Sequence, residues 1–105
     1  MVRGKLVAEP ATGSGIAAHH GQTGLSVRFR RGGEKLRPGK NAVNRELKNL
    51  LQESGIVPWM RSHIPLIYAG DDLVAVADLW VNQDFAAADD EPGLTITWRN
   101  HSAIR

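Results

Sequence analysis

The sequence predicts an α+β domain with a mostly antiparallel sheet and one main helix. Segments that alternate apolar and polar residues outnumber the one segment with helical spacing, and short turns join them. A strand, a helix and then several strands is an order typical of α+β folds. Because 105 residues suffice for one hydrophobic core, residues 1–105 are predicted to form a single domain.

The strands are predicted from alternation and from the turn residues between them. In residues 25–30, Leu25, Val27 and Phe29 are expected to face the core, with the arginines on the other side. The other extended segments are residues 5–9, 34–37, 66–68, 73–76, 79–81 and 94–98. Residues 69–72 favour a tight hairpin connection, whereas residues 1–24 are poorly specified, with a loop at 10–15.

The clearest helix is predicted over residues 43–54. The apolar residues that share one helical face are Val43, Leu47, Leu50 and Leu51. Asn41 or Asn44 is expected to cap the start. Gly55 is expected to close the helix in the left-handed conformation, with Ile56 packing back against it.

Charge is unevenly distributed along the chain, although the net charge is only +2. The basic residues between positions 25 and 48 are Arg28, Arg30, Arg31, Lys35, Arg37, Lys40, Arg45 and Lys48. Carboxylates predominate after Arg61. A segregated basic stretch is typical of a phosphate-bearing partner, and the alternative is a solvated face balanced by acidic loops.

Three of these cations lie at the N-terminal approach to the predicted helix. Arg37, Lys40 and Arg45 oppose the helix dipole there, typically by about 0.3–1 kcal/mol each when exposed. A bound phosphate would remove the conflict, which favours nucleic-acid backbone as the partner. In the alternative interpretation, the long side chains bend away into solvent.

Motifs for catalysis, nucleotide binding and metal binding are weak. Residues 13–15 lack the ending of a phosphate loop, and His19-His20 has no acidic or cysteine partner nearby in the sequence. The acidic residues 89–91 are typical of a solvated loop, so a small hydrolase has little support. The sequence predicts no catalytic residue and no metal site.

The tryptophans separate into two groups. Trp80 and Trp98 lie in strand-like contexts and are predicted to be core. Trp59 follows a proline and lies near Arg61, so it either packs beneath the helix, which is the favoured interpretation, or stacks on a base or ribose.

Four stretches of sequence carry a family resemblance. They are residues 27–38 (VRFRRGGEKLRP), 47–61 (LKNLLQESGIVPWMR), 64–68 (IPLIY) and 72–81 (DLVAVADLWV). With these motifs, residues 25–99 resemble the C-terminal domain of bacterial tRNA(Ile)-lysidine synthetases. Val57 stands where that family usually has a second proline, and residues 1–24 match only loosely.

The resemblance implies a parent enzyme that joins lysine to the wobble cytidine of an isoleucine tRNA, using ATP and Mg²⁺. Its ATP-binding Ser-Gly-Gly-x-Asp-Ser loop belongs to an N-terminal catalytic domain and is not found in this sequence. We therefore expect neither catalysis nor a cofactor in this chain. The resemblance also implies a fold related to a domain of the phenylalanyl-tRNA synthetase β subunit.

In that family the C-terminal domain binds the tRNA acceptor stem, which suits the basic stretch. The candidate RNA contacts are Arg30, Arg31, Lys35, Arg37, Lys40, Arg45, Lys48 and Arg61. Gly32-Gly33 is predicted to be the RNA-facing tip, with Glu34 holding Arg30 or Arg31 and with Trp59 as a further support. The alternative for this turn is an ordinary hairpin.

The alternative function is protein interaction, either docking on the enzyme's own N-terminal catalytic domain or forming a homodimer. The sequence has no apolar run near the roughly 20 residues that span a bilayer, and its start lacks a secretory pattern. We therefore expect a cytoplasmic protein with no membrane partner. Its lack of cysteines fits a reducing compartment.

Overall fold

A computed structural model describes residues 4–22, 24–101 and 103–104 of the chain. Its strands are β1 (Lys5–Thr12), β2 (Ile16–Ala17), β3 (Leu25–Arg28), β4 (Lys35–Leu36), β5 (Arg45–Glu46), β6 (Leu66–Ala69), β7 (Asp72–Val76), β8 (Trp80–Val81) and β9 (Pro92–Arg99). The helix α1 is Leu47–Glu53, and 3₁₀ turns lie at Ala18–Gly21, Pro58–His63 and Gln83–Phe85. The α+β class with mostly antiparallel strands and one main helix is confirmed.

The described strands form three antiparallel sheets, in the orders β1-β9-β2, β3-β6-β7-β8 and β4-β5. The first sheet joins the two ends of the chain, with Lys5 opposite Arg99 and Thr12 opposite Pro92. β1 therefore runs beyond the predicted strand at 5–9 into the predicted loop. Pro10 is tolerated there because β1 lies at the edge of its sheet, where a missing N–H breaks no ladder.

The hairpin of β6 and β7 has the predicted connection. Ala69 pairs with Asp72 across a two-residue turn, and Gly70 takes the positive φ of 62° that such turns need. A register shift between Ile67 and Tyr68 marks a bulge in β6. The predicted strand at 79–81 is confirmed as the shorter β8.

The helix begins later than predicted. β5 pairs with β4 up to Glu46, and the Leu47 amide donates to the Glu34 carbonyl at 2.9 Å, so sheet pairing takes the residues before the helix. Val43 is 74% exposed, so its predicted place in the core is wrong. The caps predicted at Asn41 and Asn44 are wrong too, because Glu46 precedes the first turn and has no side-chain cap bond.

The end of α1 follows the prediction. Gly55 has φ 74°, and its amide donates to the Gln52 carbonyl at 3.2 Å. The Ile56 amide donates to the Leu51 carbonyl at 3.1 Å, and Ile56 is buried. These two bonds form a Schellman motif, which satisfies carbonyls that the last turn leaves unpaired.

The main core lies between α1 and the β6–β7 hairpin. Its largest fully buried side chains are Leu36, Leu47, Leu51, Ile56, Ile64, Leu66 and Val76. Trp98 packs into this core as predicted, whereas Trp80 is only partly buried against it. A smaller cluster joins Ile16 to Ile67, Val74 and Ala75.

One predicted core face is wrong at two of its three positions, whereas Leu25 packs against the smaller core cluster. Val27 is 50% exposed and Phe29 is 55% exposed, and Leu25 is half-buried. β3 is the edge strand of its sheet. Within the described ranges, no layer covers this face of the strand fully, so alternation located a strand but not a buried one.

Candidate nucleic-acid interface

The sequence-predicted tip is an open loop, which we call the Gly-Gly loop (residues 29–34). Gly32 and Gly33 have φ of 110° and 83°, a conformation that favours glycine, and a Cβ at either position would meet no atom within 4 Å. The Glu34 carboxylate accepts hydrogen bonds from the Arg31 amide at 2.8 Å and from the Gly32 amide at 3.1 Å. Glu34 therefore holds Arg31 through its backbone.

Glu34 also connects this loop to the helix. Its carbonyl accepts the Leu47 amide at 2.9 Å, and the next residue, Lys35, is opposite Glu46 in the β4–β5 pair. Lys48 lies in the first turn of α1, directly after Leu47. Backbone hydrogen bonds therefore join the loop and β4 to the start of α1, and we define this connected region as the candidate surface.

Four candidate cations on this surface are the ones we call the open cations: Arg30, Arg31, Lys35 and Lys48. Across the described part of the chain, no carboxylate lies within 4 Å of their charged groups. Arg30 Nε is shielded from solvent and meets no hydrogen-bond acceptor among the described atoms. Arg31, Lys35 and Lys48 are exposed and available to an anionic partner, whereas Arg30 is only partly exposed.

Three other candidates are the paired cations: Arg37, Lys40 and Arg45. Arg37 Nε lies 3.1 Å from Asp84 Oδ1, although without the alignment of a hydrogen bond. Lys40 Nζ lies 3.8 Å from Asp89 Oδ1, and both side chains are exposed. The Arg45 guanidinium contacts both carboxylate oxygens of Glu53. The surface predicted as one patch is therefore divided by carboxylates.

The predicted conflict with the helix dipole is wrong for these residues. α1 has seven residues, and Arg45 lies in the strand before it rather than in its first turn. Arg37 and Lys40 are directed to Asp84 and Asp89. Lys48 alone of the candidates is in the first turn of α1.

Arg37 is fixed by a buried amide as well. Asn82 is 6% exposed, and its Oδ1 accepts the Arg37 amide at 3.3 Å. Its Nδ2 donates to the Leu73 carbonyl at 2.8 Å. This network ties the backbone around Arg37 to the β7 strand, and burial without such partners would be costly.

Arg28 and Tyr68 are contacts that the sequence reasoning did not single out. Arg28 Nη2 donates to the Gly70 carbonyl at 3.0 Å, and its guanidinium carbon lies 4.4 Å from the Tyr68 ring centroid. Partial burial and, next, the Glu34 carboxylate raise the pKa of Tyr68, whereas Arg28 and Arg31 act in the opposite direction. The Gly-Gly loop therefore lies within electrostatic reach of β6. Register was the missing information, since sequence does not show that β3 pairs with β6.

The two remaining candidates lie after α1. Arg61 Nε donates to the Ile56 carbonyl at 2.8 Å, so this side chain fastens the 3₁₀ turn to the end of the helix. Trp59 is 72% exposed, so the favoured prediction that it packs beneath the helix is wrong. Its stacking on a nucleotide stays a prediction.

An apolar groove of about 400 Å³ lies between β3 and the first sheet. Its lining includes Leu6, Val27, Phe29, Pro65 and Trp98. The half-exposed side chains of Val27 in β3 and of Phe29 in the Gly-Gly loop therefore both line this groove.

The His19-His20 segment has an acidic neighbour that the sequence did not show. His19 Nδ1 lies 3.4 Å from Glu91 Oε2, and the two histidine rings are 4.0 Å apart. Within the described residues, no three or more histidine, aspartate or glutamate side chains are grouped as metal ligands. Within the same residues, no helix has the length and apolar character required to cross a bilayer.

The chain is thus an α+β domain that presents cations on a glycine loop. Residues 25–98 match the family described as TilS substrate C-terminal domain. The chain belongs to this family, which confirms the resemblance predicted from its motifs.

Relatives named tRNA(Ile)-lysidine synthase support the same assignment. The one from Coxiella burnetii is 39% identical over 93 residues, covering 89% of this chain and 21% of the relative. The one from Ralstonia nicotianae is 47% identical over 78 residues, covering 72% and 16%. The one from Methylococcus capsulatus is 32% identical over 97 residues, covering 90% and 22%. The chain spans about a fifth of the length of these relatives.

Proposed function

We propose that this chain is the tRNA-binding part of an enzyme that joins lysine to the wobble cytidine of an isoleucine tRNA, and that it binds the acceptor stem. The open cations are the observation that carries the proposal. They lie on a loop, a strand and a helix start that Glu34 connects, and no carboxylate in the described structure neutralises them. The relatives' name supplies the tRNA and the lysine chemistry.

The chemistry of an RNA duplex fits such a surface. The major groove of A-form RNA is too deep and narrow for side chains, so proteins contact phosphates and 2′-OH groups. Lys and Arg side chains around an open loop can reach a curved backbone without reading bases. Binding is then strongly salt-dependent, because each contacted phosphate releases counterions.

Catalysis belongs, in this proposal, to the N-terminal part of the parent enzyme, which would hold ATP and Mg²⁺. This chain would serve to position the tRNA. A fold relation to a domain of the phenylalanyl-tRNA synthetase β subunit stays a prediction.

The salt dependence of binding tests the open cations directly. Affinity for an acceptor-stem minihelix, measured by fluorescence anisotropy across a salt series, should fall with a log–log slope of about −4 if four cations each meet a phosphate. Lys48→Ala and Lys35→Ala should each make that slope shallower by about one.

The matched control removes a pair rather than an open charge. Arg45→Ala combined with Glu53→Ala keeps the net charge and leaves the open cations untouched, so its slope should equal that of the parent sequence. If the lysine variants behave like this control, the proposed surface is wrong.

The apolar groove favours a second candidate function, docking on the enzyme's own N-terminal catalytic domain. The chain covers only 16–22% of the three relatives described above, so much of each relative lies outside it. Half-exposed Val27 and Phe29 would be covered by such a contact. A homodimer through the same groove would instead show in light scattering as self-association that RNA does not compete away.

A further inference from the structure

The three tryptophans of the chain differ sharply in exposure. Trp98 is 6% exposed and Trp80 is partly buried, whereas Trp59 is 72% exposed. Trp59 does not line the apolar groove described above. An indole left in water forgoes a large hydrophobic gain, and exposed tryptophans are enriched where proteins contact a partner.

The turn that carries Trp59 is held on several sides. The Met60 amide donates to the Val57 carbonyl at 3.0 Å, and the Met60 side chain is buried. The Val57 amide donates to the Ile104 carbonyl at 2.9 Å. Arg61 anchors the turn from its other end by its bond to Ile56. The backbone under the indole is therefore fixed, which lowers the entropy cost of binding through it.

The surroundings favour a nucleobase over a protein partner. Aromatic anchors of protein interfaces lie in a well-packed apolar centre. Beside Trp59, the exposed chain neighbours are Pro58, Ser62 and His63, and Arg61 adds a positive charge. The turn Pro58–His63 contains no acidic residue. Exposed indoles beside cations are typical of stacking platforms for single-stranded nucleic acid.

We infer that Trp59 stacks on an unpaired nucleotide adjoining the RNA duplex that the open cations bind. This inference rests on the proposed function. Bases inside a duplex are already stacked on each other, so away from the duplex end an indole can reach a base face only where a nucleotide is unpaired. Lys48 lies in the first turn of α1, a helix of seven residues, and the Trp59 turn follows shortly after the end of that helix. We expect one RNA end to reach both.

The test compares two RNA hairpins with the same stem, one blunt-ended and one with a short single-stranded adenosine tail at the 3′ end. The tailed RNA should bind about tenfold more tightly, as expected for one stacked base. Trp59→Ala should reduce the affinity for the tailed RNA to that for the blunt one and leave blunt binding unchanged. Trp59→Phe should keep part of the preference for the tail.

Val43→Ala is the matched control, because Val43 is as exposed as Trp59 but lies before the helix. Thermal unfolding of each variant verifies that the fold is intact. Equal binding of the two RNAs by the parent sequence, or equal weakening of both by Trp59→Ala, would overturn the inference while leaving the proposed function in place. If neither RNA binds in a salt-dependent way, the proposed function fails and the inference fails with it.

Discussion

The open cations and the paired cations come from one basic stretch of sequence, yet the fold treats them differently. Arg37, Lys40 and Arg45 each lie within 4 Å of a carboxylate. The Gly-Gly loop has a carboxylate too, but Glu34 uses it to bind two backbone amides rather than a guanidinium. The sequence shows which residues are charged. Whether such a charge is free to bind a partner depends on the carboxylates that the fold places beside it.

The paired cations and the cations of the Gly-Gly loop are also held in place by different interactions. The paired cations are held by their own ion pairs, which at an exposed surface contribute only about 0–1 kcal/mol each. The Arg31 backbone amide is held by its hydrogen bond to Glu34, so the Arg31 guanidinium takes no part in holding the loop. A loop that is held in place and whose cations have no ion-pair partner is suited to binding. The entropy cost of ordering it is then not added when the partner binds.

The largest expected effect follows from removing the Glu34 side chain. Glu34→Ala leaves the Arg31 and Gly32 amides without their acceptor, and we expect a loss of about 1 kcal/mol in the free energy of unfolding. Hydrogen exchange at these two amides should accelerate. Glu34→Gln is the control, since its amide oxygen can keep one of the bonds. Unchanged exchange in Glu34→Ala would show that the loop has another source of order.

Much of the fold that the sequence predicted depends on local signals. The β6–β7 hairpin follows from turn residues between apolar runs, and the end of α1 follows from Gly55 and Ile56. The pairing of β1 with β9 joins the two ends of the chain, and neither segment carries a sign of its partner. The start of α1 was misplaced for a related reason, because β5 pairs with a strand that precedes it.

In the candidate site, too, the features that the sequence predicted are the ones with a local signal. Composition identified the basic stretch, and glycines identified the loop, because positive φ is a local property. The sequence could not show that the fold brings Asp84 beside Arg37 and Asp89 beside Lys40. Nor could it show that Trp59 is exposed, since a tryptophan after a proline fits a core or a surface equally well.

The second prediction tests whether ion pairing with carboxylates is what distinguishes the paired cations from the open cations. Asp84→Ala releases Arg37, so RNA affinity at low salt should rise by up to about fivefold and the salt slope should steepen by less than one. Asp90→Ala is the control, because Asp90 has no ion pair within the described structure. Equal gains from both variants would mean that only net charge matters, and the distinction between open and paired cations would fail.

The smallest effect concerns Tyr68 and needs no RNA. The chain has one tyrosine, so tyrosinate absorbance reports this residue alone. Burial first and Glu34 second hold the pKa of Tyr68 above its ordinary value of 10.0. A raised pKa in the folded state means that the folded chain binds more protons than the unfolded chain. The contribution to stability is therefore present below pH 10.0 and is lost as pH rises through the folded-state pKa.

Two variants should move the pKa of Tyr68 in opposite directions. Glu34→Gln removes a negative neighbour and should lower it, whereas Arg31→Ala removes a positive neighbour and should raise it further. Lys48→Ala, which removes an open cation that does not act on Tyr68, should leave it unchanged. Opposite shifts would place both Arg31 and Glu34 of the Gly-Gly loop beside β6. Identical titrations for the Glu34 and Arg31 variants would mean that the loop lies away from the sheet in solution, and the open cations would then share no fixed geometry.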